Sequence, residues 1–351
     1  MVGDAAGPGP AQRNGDLRAP EGGTRAEAAW AAHVQPGDIS VVICAYTLHR
    51  WSDIQRAIGS VASQRSPVHE TILVVDHNDD LMRRAVDELA GITVVANREE
   101  RGLSGARNSG VALARGEVVA FLDDDAAAAP DWSECLSAGY TDGSVLGVGG
   151  KSEAAWVEGR PAWFPAEFDW VVGCSYVGMP AERASVRNMI GSNMSLRRAV
   201  FEQVGGFDSR IGRVGANPVG CEETELCIRA VAAWPAGRIV YEPIAHVTHT
   251  VPASRGSWRY FRSRCLAEGR SKAVVARLAG RRAGLATERS YVRRVLPAAV
   301  ARDLRTALME RRSDPALRAL AVVAGFGLTT LGFLRGMSTE RAVVLSPERV
   351  T

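Results

Sequence analysis

The chain has 351 residues, of which 46% are hydrophobic and 23% charged, and its formal net charge is +3. This length and composition suit one large globular domain or two small ones, and they exclude a fibre, a disulfide-stapled miniprotein and a wholly disordered chain. The near balance of charge argues against a dedicated nucleic-acid-binding protein.

The six cysteines, at positions 44, 135, 174, 221, 227 and 265, form no C-x-x-C pair. Scattered cysteines in a chain of this length predict free thiols in a reducing compartment. Residues 1–36 are rich in Gly, Ala, Pro and charge, which indicates a disordered tail. Because this segment has no basic stretch followed by an apolar one, we expect no signal peptide and a cytoplasmic protein.

Short apolar segments alternate with helical patterns from residue 39 onward. Strands are predicted at 39–45, 71–76, 92–96 and 118–122, and helices at 54–64, 82–90 and 104–114. This alternation with short links predicts an α/β fold with a mostly parallel central sheet and helices on both faces. Ligands of such sheets bind beyond the carboxyl ends of the strands, which is where Tyr46, Asp76 and the triplet Asp123, Asp124 and Asp125 fall.

The pattern is looser beyond about residue 145. Strands are predicted at 145–150, 188–196 and 238–242, a loop at 156–168 and a helix at 222–232. Between positions 255 and 318 there are 17 Arg or Lys residues against 5 Asp or Glu, and the 16 residues 319–334 carry no charge. A helix of that length is about 24 Å long, short of the roughly 30 Å hydrocarbon core of a bilayer. Three interpretations stay open: a buried helix, a helix that dips into an anionic membrane surface, and a membrane span.

Three consecutive carboxylates, Asp123, Asp124 and Asp125, directly follow a predicted buried strand. Like charges this close repel one another unless a cation is present. Carboxylates of this kind hold Mg²⁺ or Mn²⁺ together with substrate phosphates, so the predicted cofactor is a divalent cation. A solvated acidic turn is the alternative, and the position at the end of a strand favours the metal.

Three further groups are ambiguous when each is taken alone. A glycine-containing segment precedes the helix that carries Arg107, and it suits either a phosphate or a plain helix cap. Glu222 and Glu223 open a helix, where a carboxylate serves as a general base or only favours the helix dipole. His249 follows a predicted strand and is either a ligand or a structural histidine.

Several short segments occur in a fixed order: R-N-S-G at 107–110, G-E at 116–117, F-L-D-D-D at 121–125, G-S-N-M-S at 191–195, G-G-F-D at 205–208 and E-E-T-E-L at 222–226. Together they resemble the family 2 glycosyltransferases with a GT-A fold, over roughly residues 38–272. The resemblance implies transfer of a sugar, with inversion, from a nucleotide diphosphate donor, expected to be a UDP-sugar, to a hydroxyl acceptor. Cell-wall, polysaccharide or glycolipid synthesis is the implied setting. The implied domains are a GT-A catalytic domain at 37–250, after the tail at 1–36, and a basic helical C-terminal region at 251–340.

The resemblance also implies a role for individual residues. The donor is expected to contact Ala45, Tyr46, Asp76, Arg107, Asp123, Asp124 and Arg264. The metal, Mn²⁺ or Mg²⁺, is expected to be bound by Asp125, Asp123 and His249. Glu223 is the expected base, with Glu222 as the alternative. If the C-terminal region contacts a membrane, the acceptor is expected to be lipid-linked and the protein to work at the inner face of the cell membrane; no nucleic-acid partner is expected.

The sequence departs from the family pattern at three places. Thr47 stands where Asn is common, and Glu223 is one methylene longer than the usual Asp. After the second strand, Asp76 is followed by His77, Asn78 and Asp79, where the family commonly has Asp-Asp-Gly-Ser. Two other classes of protein are alternatives to this family. A nucleotidyltransferase is expected to have a Gly-rich, Lys-containing loop after its first strand, and residues 45–52 have none. A non-catalytic sugar- or membrane-binding relative would tolerate loss of the metal and base carboxylates, and both are present.

Overall fold

The computed structural model describes residues 33–209, 211–212, 220–278 and 289–344. The expected tail at 1–36 lies outside this part of the chain except for residues 33–36. Of these, Val34 is buried in the first core cluster, next to the 3₁₀ turn Pro36–Asp38.

Within the described residues, nine strands form one sheet. They are β1 Ile39–Ala45, β2 Glu70–Val75, β3 Thr93–Ala96, β4 Val118–Asp123, β5 Ala126–Ala128, β6 Val145–Trp156, β7 Ala184–Val186, β8 Asn193–Arg197 and β9 Arg238–Val251. Their order across the sheet is β3-β2-β1-β4-β8-β6-β9-β5, and β7 pairs with β9. The four strands predicted in the first third of the chain are therefore confirmed and lie side by side.

The α/β class is confirmed, and the sheet proves to be mixed rather than mostly parallel. Four of its strand pairings are parallel and four are antiparallel. Parallel neighbours need a crossover connection, usually a helix, and β1 to β4 have such connections. Beyond residue 145 the helical pattern is weak, and β8 runs antiparallel to both β4 and β6.

Helices cover both faces of the sheet, as predicted. The described α-helices are α1 Trp51–Ala62, α2 Asp79–Glu88, α3 Leu103–Val111, α4 Trp132–Gly139, α5 Arg198–Val204, α6 Glu222–Ala233, α7 Trp258–Leu278, α8 Leu296–Glu310 and α9 Ser313–Val344. Side chains alternate along β1, so that Val41 and Ile43 join one core cluster and Val42 the other. The first cluster includes α1, α2 and α4, and the second includes α3, α5 and α6.

A third core lies beneath the C-terminal helices. Phe164 and Phe168, from the loop and the 3₁₀ helix Ala166–Val172 that follow β6, pack with Phe261 of α7 and Val322 of α9. α7 and α9 approach very closely, because a Cβ atom added at Gly332 of α9 would lie 2.1 Å from the carbonyl oxygen of Leu266. The C-terminal helices are thus packed onto the α/β part rather than separate from it.

Two elements are longer than the sequence pattern predicted. β9 has 14 residues instead of the short strand at 238–242, and α9 begins at Ser313 instead of residue 319. Among the described residues, one helix, Ser313–Ser338, is long and apolar enough to cross a membrane. All six cysteines are free thiols in this structure.

Candidate active site

Two strands bring three side chains of the kinds that ligate metals together at one edge of the sheet. β4 ends at Asp123, and the chain turns at once into β5, with Asp125 in the turn. β5 pairs with β9 in a register that sets Ala126 opposite His249. The ligand atoms of Asp123, Asp125 and His249 consequently all lie within 4.8 Å of one another.

This cluster fits a divalent cation. Carboxylate oxygens and an imidazole nitrogen form a donor set that a first-row ion such as Mn²⁺ accepts. Asp125 Oδ1 lies 3.0 Å from His249 Nε2, yet this buried oxygen makes no hydrogen bond of acceptable geometry. A buried carboxylate oxygen that faces an imidazole nitrogen and lacks such a bond is an arrangement that a bound cation would satisfy. Asp123 Oδ2, 3.8 Å from the same nitrogen, completes the set.

Two arginines that sequence reasoning missed surround the cluster. Arg50 Nη1 lies 2.7 Å from Asp124 Oδ1 and 3.2 Å from Asp125 Oδ2, and Arg255 Nη2 lies 3.1 Å from the latter oxygen. Although burial opposes ionisation, His249 and the two arginines hold the pKa of Asp125 well below its usual range. Burial and the Asp125 charge raise the pKa of Asp124 to about 7. Neither arginine belongs to a motif, so only the pairing of distant segments could reveal them.

Buried Arg107 connects the metal cluster to the acidic pair. Its Nη1 donates a hydrogen bond to Glu222 Oε1 at 2.9 Å, and its Nη2 donates to the carbonyl oxygen of Gly191 at 3.0 Å. Nη2 also lies 3.6 Å from Asp123 Oδ1. One guanidinium therefore fixes the relative positions of the end of β4 and the start of α6.

The acidic pair at the start of α6 has two different environments. Glu222 is 4% exposed and is paired with Arg107. Glu223 is half-buried, and it forms no ion pair within the described part of the chain. Burial and the neighbouring Glu222 carboxylate raise the pKa of Glu223 to about 8. Within the described residues, Arg107 therefore neutralises Glu222, whereas no cation is paired with Glu223.

A cavity of about 650 Å³ lies between this edge of the sheet and the C-terminal helices. Of the residues expected to form the site, its walls include Arg107, Asp123, Glu222, Glu223 and Arg264, whereas Ala45, Tyr46, Asp76, Asp124, Asp125 and His249 are outside the lining. α7 and α9 supply the opposite wall with Glu268, Lys272, Phe326, Thr330 and Phe333. The sequence did not reveal that the C-terminal region closes the site.

The residues expected near the nucleotide lie at the carboxyl ends of β1 and β2. Ala45 is buried, Tyr46 is 43% exposed, and the Asp76 backbone N–H donates to the Ala45 carbonyl oxygen. The Asp76 carboxylate accepts hydrogen bonds from Asn97 Nδ2 at 2.7 Å and from the Gly102 backbone N–H at 3.0 Å. The loop before α3 is thereby tied to β2, and Gly102 has a φ of 134° that favours glycine.

Known proteins with similar sequences belong to the family that the motifs resemble. A family profile described as glycosyl transferase family 2 matches residues 40–205. A glucosyl-dolichyl phosphate glucuronosyltransferase of Haloferax volcanii is 37% identical over 241 residues, which cover 68% of this chain and 77% of that protein. This chain belongs to glycosyltransferase family 2. Membership makes it a glycosyltransferase and decides against the nucleotidyltransferase alternative.

More distant relatives and structures agree with the family and the fold. The mouse polypeptide N-acetylgalactosaminyltransferase 12 is 29% identical over 270 residues, and the match covers 67% of this chain but 43% of that protein. A mannosyltransferase from Pyrobaculum calidifontis, solved in complex with GDP-Man and Mn²⁺, superposes with a TM-score of 0.52 at 17% identity. That superposition covers 88% of this chain and 92% of the other, and it shows the shared fold.

Proposed function

We propose that this glycosyltransferase moves a sugar, with inversion, from a UDP-sugar to a hydroxyl group of a lipid-linked acceptor, in the presence of Mn²⁺ or Mg²⁺. The observation that carries the proposal is the single cavity that Asp123 of the metal cluster and Glu223 both line. A leaving-group site and a base that share one cavity allow a direct displacement at the sugar carbon. Because one displacement inverts that carbon, no carboxylate nucleophile is needed.

Each group in the proposed site has a defined task. A divalent ion bound by Asp123, Asp125 and His249 would offset the negative charge that develops on the departing diphosphate. Glu223 takes the proton of the acceptor hydroxyl as its oxygen attacks the sugar. Arg264, buried on α7 with its Nε donating to the Val171 carbonyl oxygen at 3.3 Å, stabilises the diphosphate from the opposite wall.

The nucleotide is proposed to lie across the ends of β1 and β2. β1 pairs with β2 on one side and with β4 on the other, so Asp76 and Asp123 stand one strand apart on either side of β1. Neighbouring strands are about 4.8 Å apart, which places the backbones of the two strand ends roughly 10 Å from each other. Asp76 is proposed to accept a hydrogen bond from the base, and the main chain at Ala45 and Tyr46 to line the pocket.

The lipid-linked acceptor is supported by the relative from Haloferax volcanii, whose name specifies a glucosyl-dolichyl phosphate substrate. It is also supported by the apolar helix α9, which lines the cavity through Phe326 and Phe333. A polyprenyl chain needs an apolar path to the base, and these side chains supply one. We therefore propose that the enzyme acts at the cytoplasmic face of a membrane, in glycolipid, polysaccharide or cell-wall synthesis.

Calorimetric titration with UDP, GDP and dTDP, each with and without Mn²⁺, tests the donor half of the proposal. UDP is expected to bind in a metal-dependent manner, and Asp125→Ala is expected to abolish that dependence because it removes a ligand. Glu202→Gln, which changes an exposed carboxylate on α5, is the matched control and is expected to bind as the wild type does. Absence of metal-dependent binding for all three nucleotides would contradict the proposal.

Two neighbouring substitutions test the base. Glu223→Gln is expected to leave donor binding intact and to lower the transfer rate by about 10²–10⁴-fold, the usual contribution of a general base. Glu222→Gln is expected to have a smaller effect on the rate at saturating acceptor, because Glu222 is neutralised by Arg107. If Glu223→Gln retained full transfer and Glu222→Gln did not, the assignment would be reversed.

A further inference from the structure

The outer side of the C-terminal helices is an exposed apolar surface. We call it the apolar face and define it as Leu304 and Leu308 of α8 with Leu317, Leu320, Val323, Leu331 and Leu334 of α9. Leu308 is 82% exposed and Leu320 is 63% exposed. On α9 the members recur every three to eight residues, at positions that fall along one side of a helix. A group of exposed apolar side chains on neighbouring helices is typical of an interaction site.

α9 does not suit a complete membrane span, although it is long and apolar enough for one. Its inner side packs along α7, where Leu266 contacts Gly332 and Arg277 donates a hydrogen bond to the Gly336 carbonyl oxygen at 3.0 Å. α7 carries six Arg or Lys residues. Because α7 and α9 are packed together, a spanning α9 would draw these charges into hydrocarbon, which is strongly unfavourable. Only the outer side of α9 is suited to lipid.

Basic residues border the apolar face. Arg305 lies beside Leu304 on α8 and is exposed, and Arg311 and Arg312 occupy the turn between α8 and α9. Over residues 289–318 there are 8 Arg residues against 3 Asp or Glu. Exposed apolar side chains on a helix and arginines beside them are the two features that hold a protein in the headgroup region of an anionic bilayer.

We propose that the apolar face docks this enzyme peripherally on an anionic lipid bilayer, so that the cavity opens at the membrane surface. Phe326 and Thr330 connect the apolar face with the cavity, because both side chains are exposed and both line the cavity that Glu223 also lines. An acceptor whose lipid tail remains in the bilayer then reaches the base past these two side chains. This last step rests on the proposed function, whereas the docking itself does not.

Flotation of the full-length protein with lipid vesicles tests the docking. The wild type is expected to bind vesicles containing phosphatidylglycerol at least about tenfold more strongly than pure phosphatidylcholine vesicles, because several arginines face the anionic surface. The double variant Leu308→Glu/Leu320→Glu is expected to lose at least about tenfold in binding, because it places charges in the apolar face. A double variant of two exposed apolar residues on the α/β part, Val86→Glu/Ile244→Glu, is the matched control and is expected to bind as the wild type does.

Further readouts separate the alternative occupants of this surface. A dimer of the wild type in light scattering that Leu308→Glu/Leu320→Glu dissociates would overturn the proposal in favour of a second copy of the chain. Protein that remains with vesicles through alkaline carbonate extraction would overturn peripheral docking in favour of a span. Wild type that floats with neither vesicle type would overturn docking altogether. Metal-dependent nucleotide binding, measured on the same samples, shows independently whether the proposed function has failed.

Discussion

Replacement of Arg107 by methionine tests whether one buried cation holds the two halves of the site together. Arg107 is 2% exposed, forms ion pairs with Glu222 and Asp123, and donates a hydrogen bond to the Gly191 carbonyl oxygen. Methionine keeps most of the length and apolar contact of the stem but removes the charge and all five donors. The substitution therefore leaves the Glu222 carboxylate buried without a counter-charge.

The expected loss of stability follows from that uncompensated charge. Removing one partner of a buried ion pair costs about 3–5 kcal/mol, whereas a typical exposed pair contributes about 0–1 kcal/mol. Because the free energy of unfolding of a typical protein is about 5–15 kcal/mol, this loss is a large part of the total stability. The double variant Arg107→Met/Glu222→Gln is expected to be less destabilised than the sum of its single variants, by about 0.5–3 kcal/mol.

Urea unfolding at neutral pH, followed by tryptophan fluorescence, measures all four corners of this cycle. A matched control is Arg198→Met, since Arg198 pairs with Glu202 at the surface, and it is expected to cost about 1 kcal/mol or less. If Arg107→Met were no more costly than Arg198→Met, the buried bridge would not be what stabilises the site. Additivity of Arg107→Met and Glu222→Gln within about 0.5 kcal/mol would refute the coupling.

Two further predictions concern Glu223 and the helix contact. Because the folded-state pKa of Glu223 is raised from 4.5 to about 8, the contribution of its protonated form to stability is lost as the pH rises from 4.5 to 8. Glu223→Gln should therefore raise the melting temperature at alkaline pH and change it little near pH 4.5. Equal shifts of the melting temperature at both pH values in a thermal scan would disprove this. Gly332→Val should cost at least about 1–3 kcal/mol in urea unfolding, because its Cβ would lie 2.1 Å from the Leu266 carbonyl oxygen. Gly327→Ala, where a Cβ meets nothing within 4 Å, should instead stabilise α9 by up to about 1 kcal/mol, and similar effects at the two positions would contradict the packing argument.

The first third of the fold could be predicted from residue order, and the remainder only in part. β1, β2 and β4 consist of β-branched and apolar residues buried on both faces, and this composition identifies them as strands from the sequence alone. β9 is longer than the pattern predicts because Pro243 interrupts its first apolar run, and the segment after Pro243 mixes polar with apolar residues. His249 lies in that segment, so its place beside Asp125 depends on a strand whose length the pattern does not show.

The local sequence determined which residues are candidates for the site, and the tertiary structure determined how they are combined. An apolar strand that ends in three carboxylates, and a helix that begins with two glutamates, are properties of neighbouring residues, and their spacing suffices to identify them. Arg50, Arg255 and α9 acquire their roles only through contacts between segments far apart in the chain. Such contacts depend on strand register and helix packing, in which every element buries its apolar side at the same time, so no single segment specifies them.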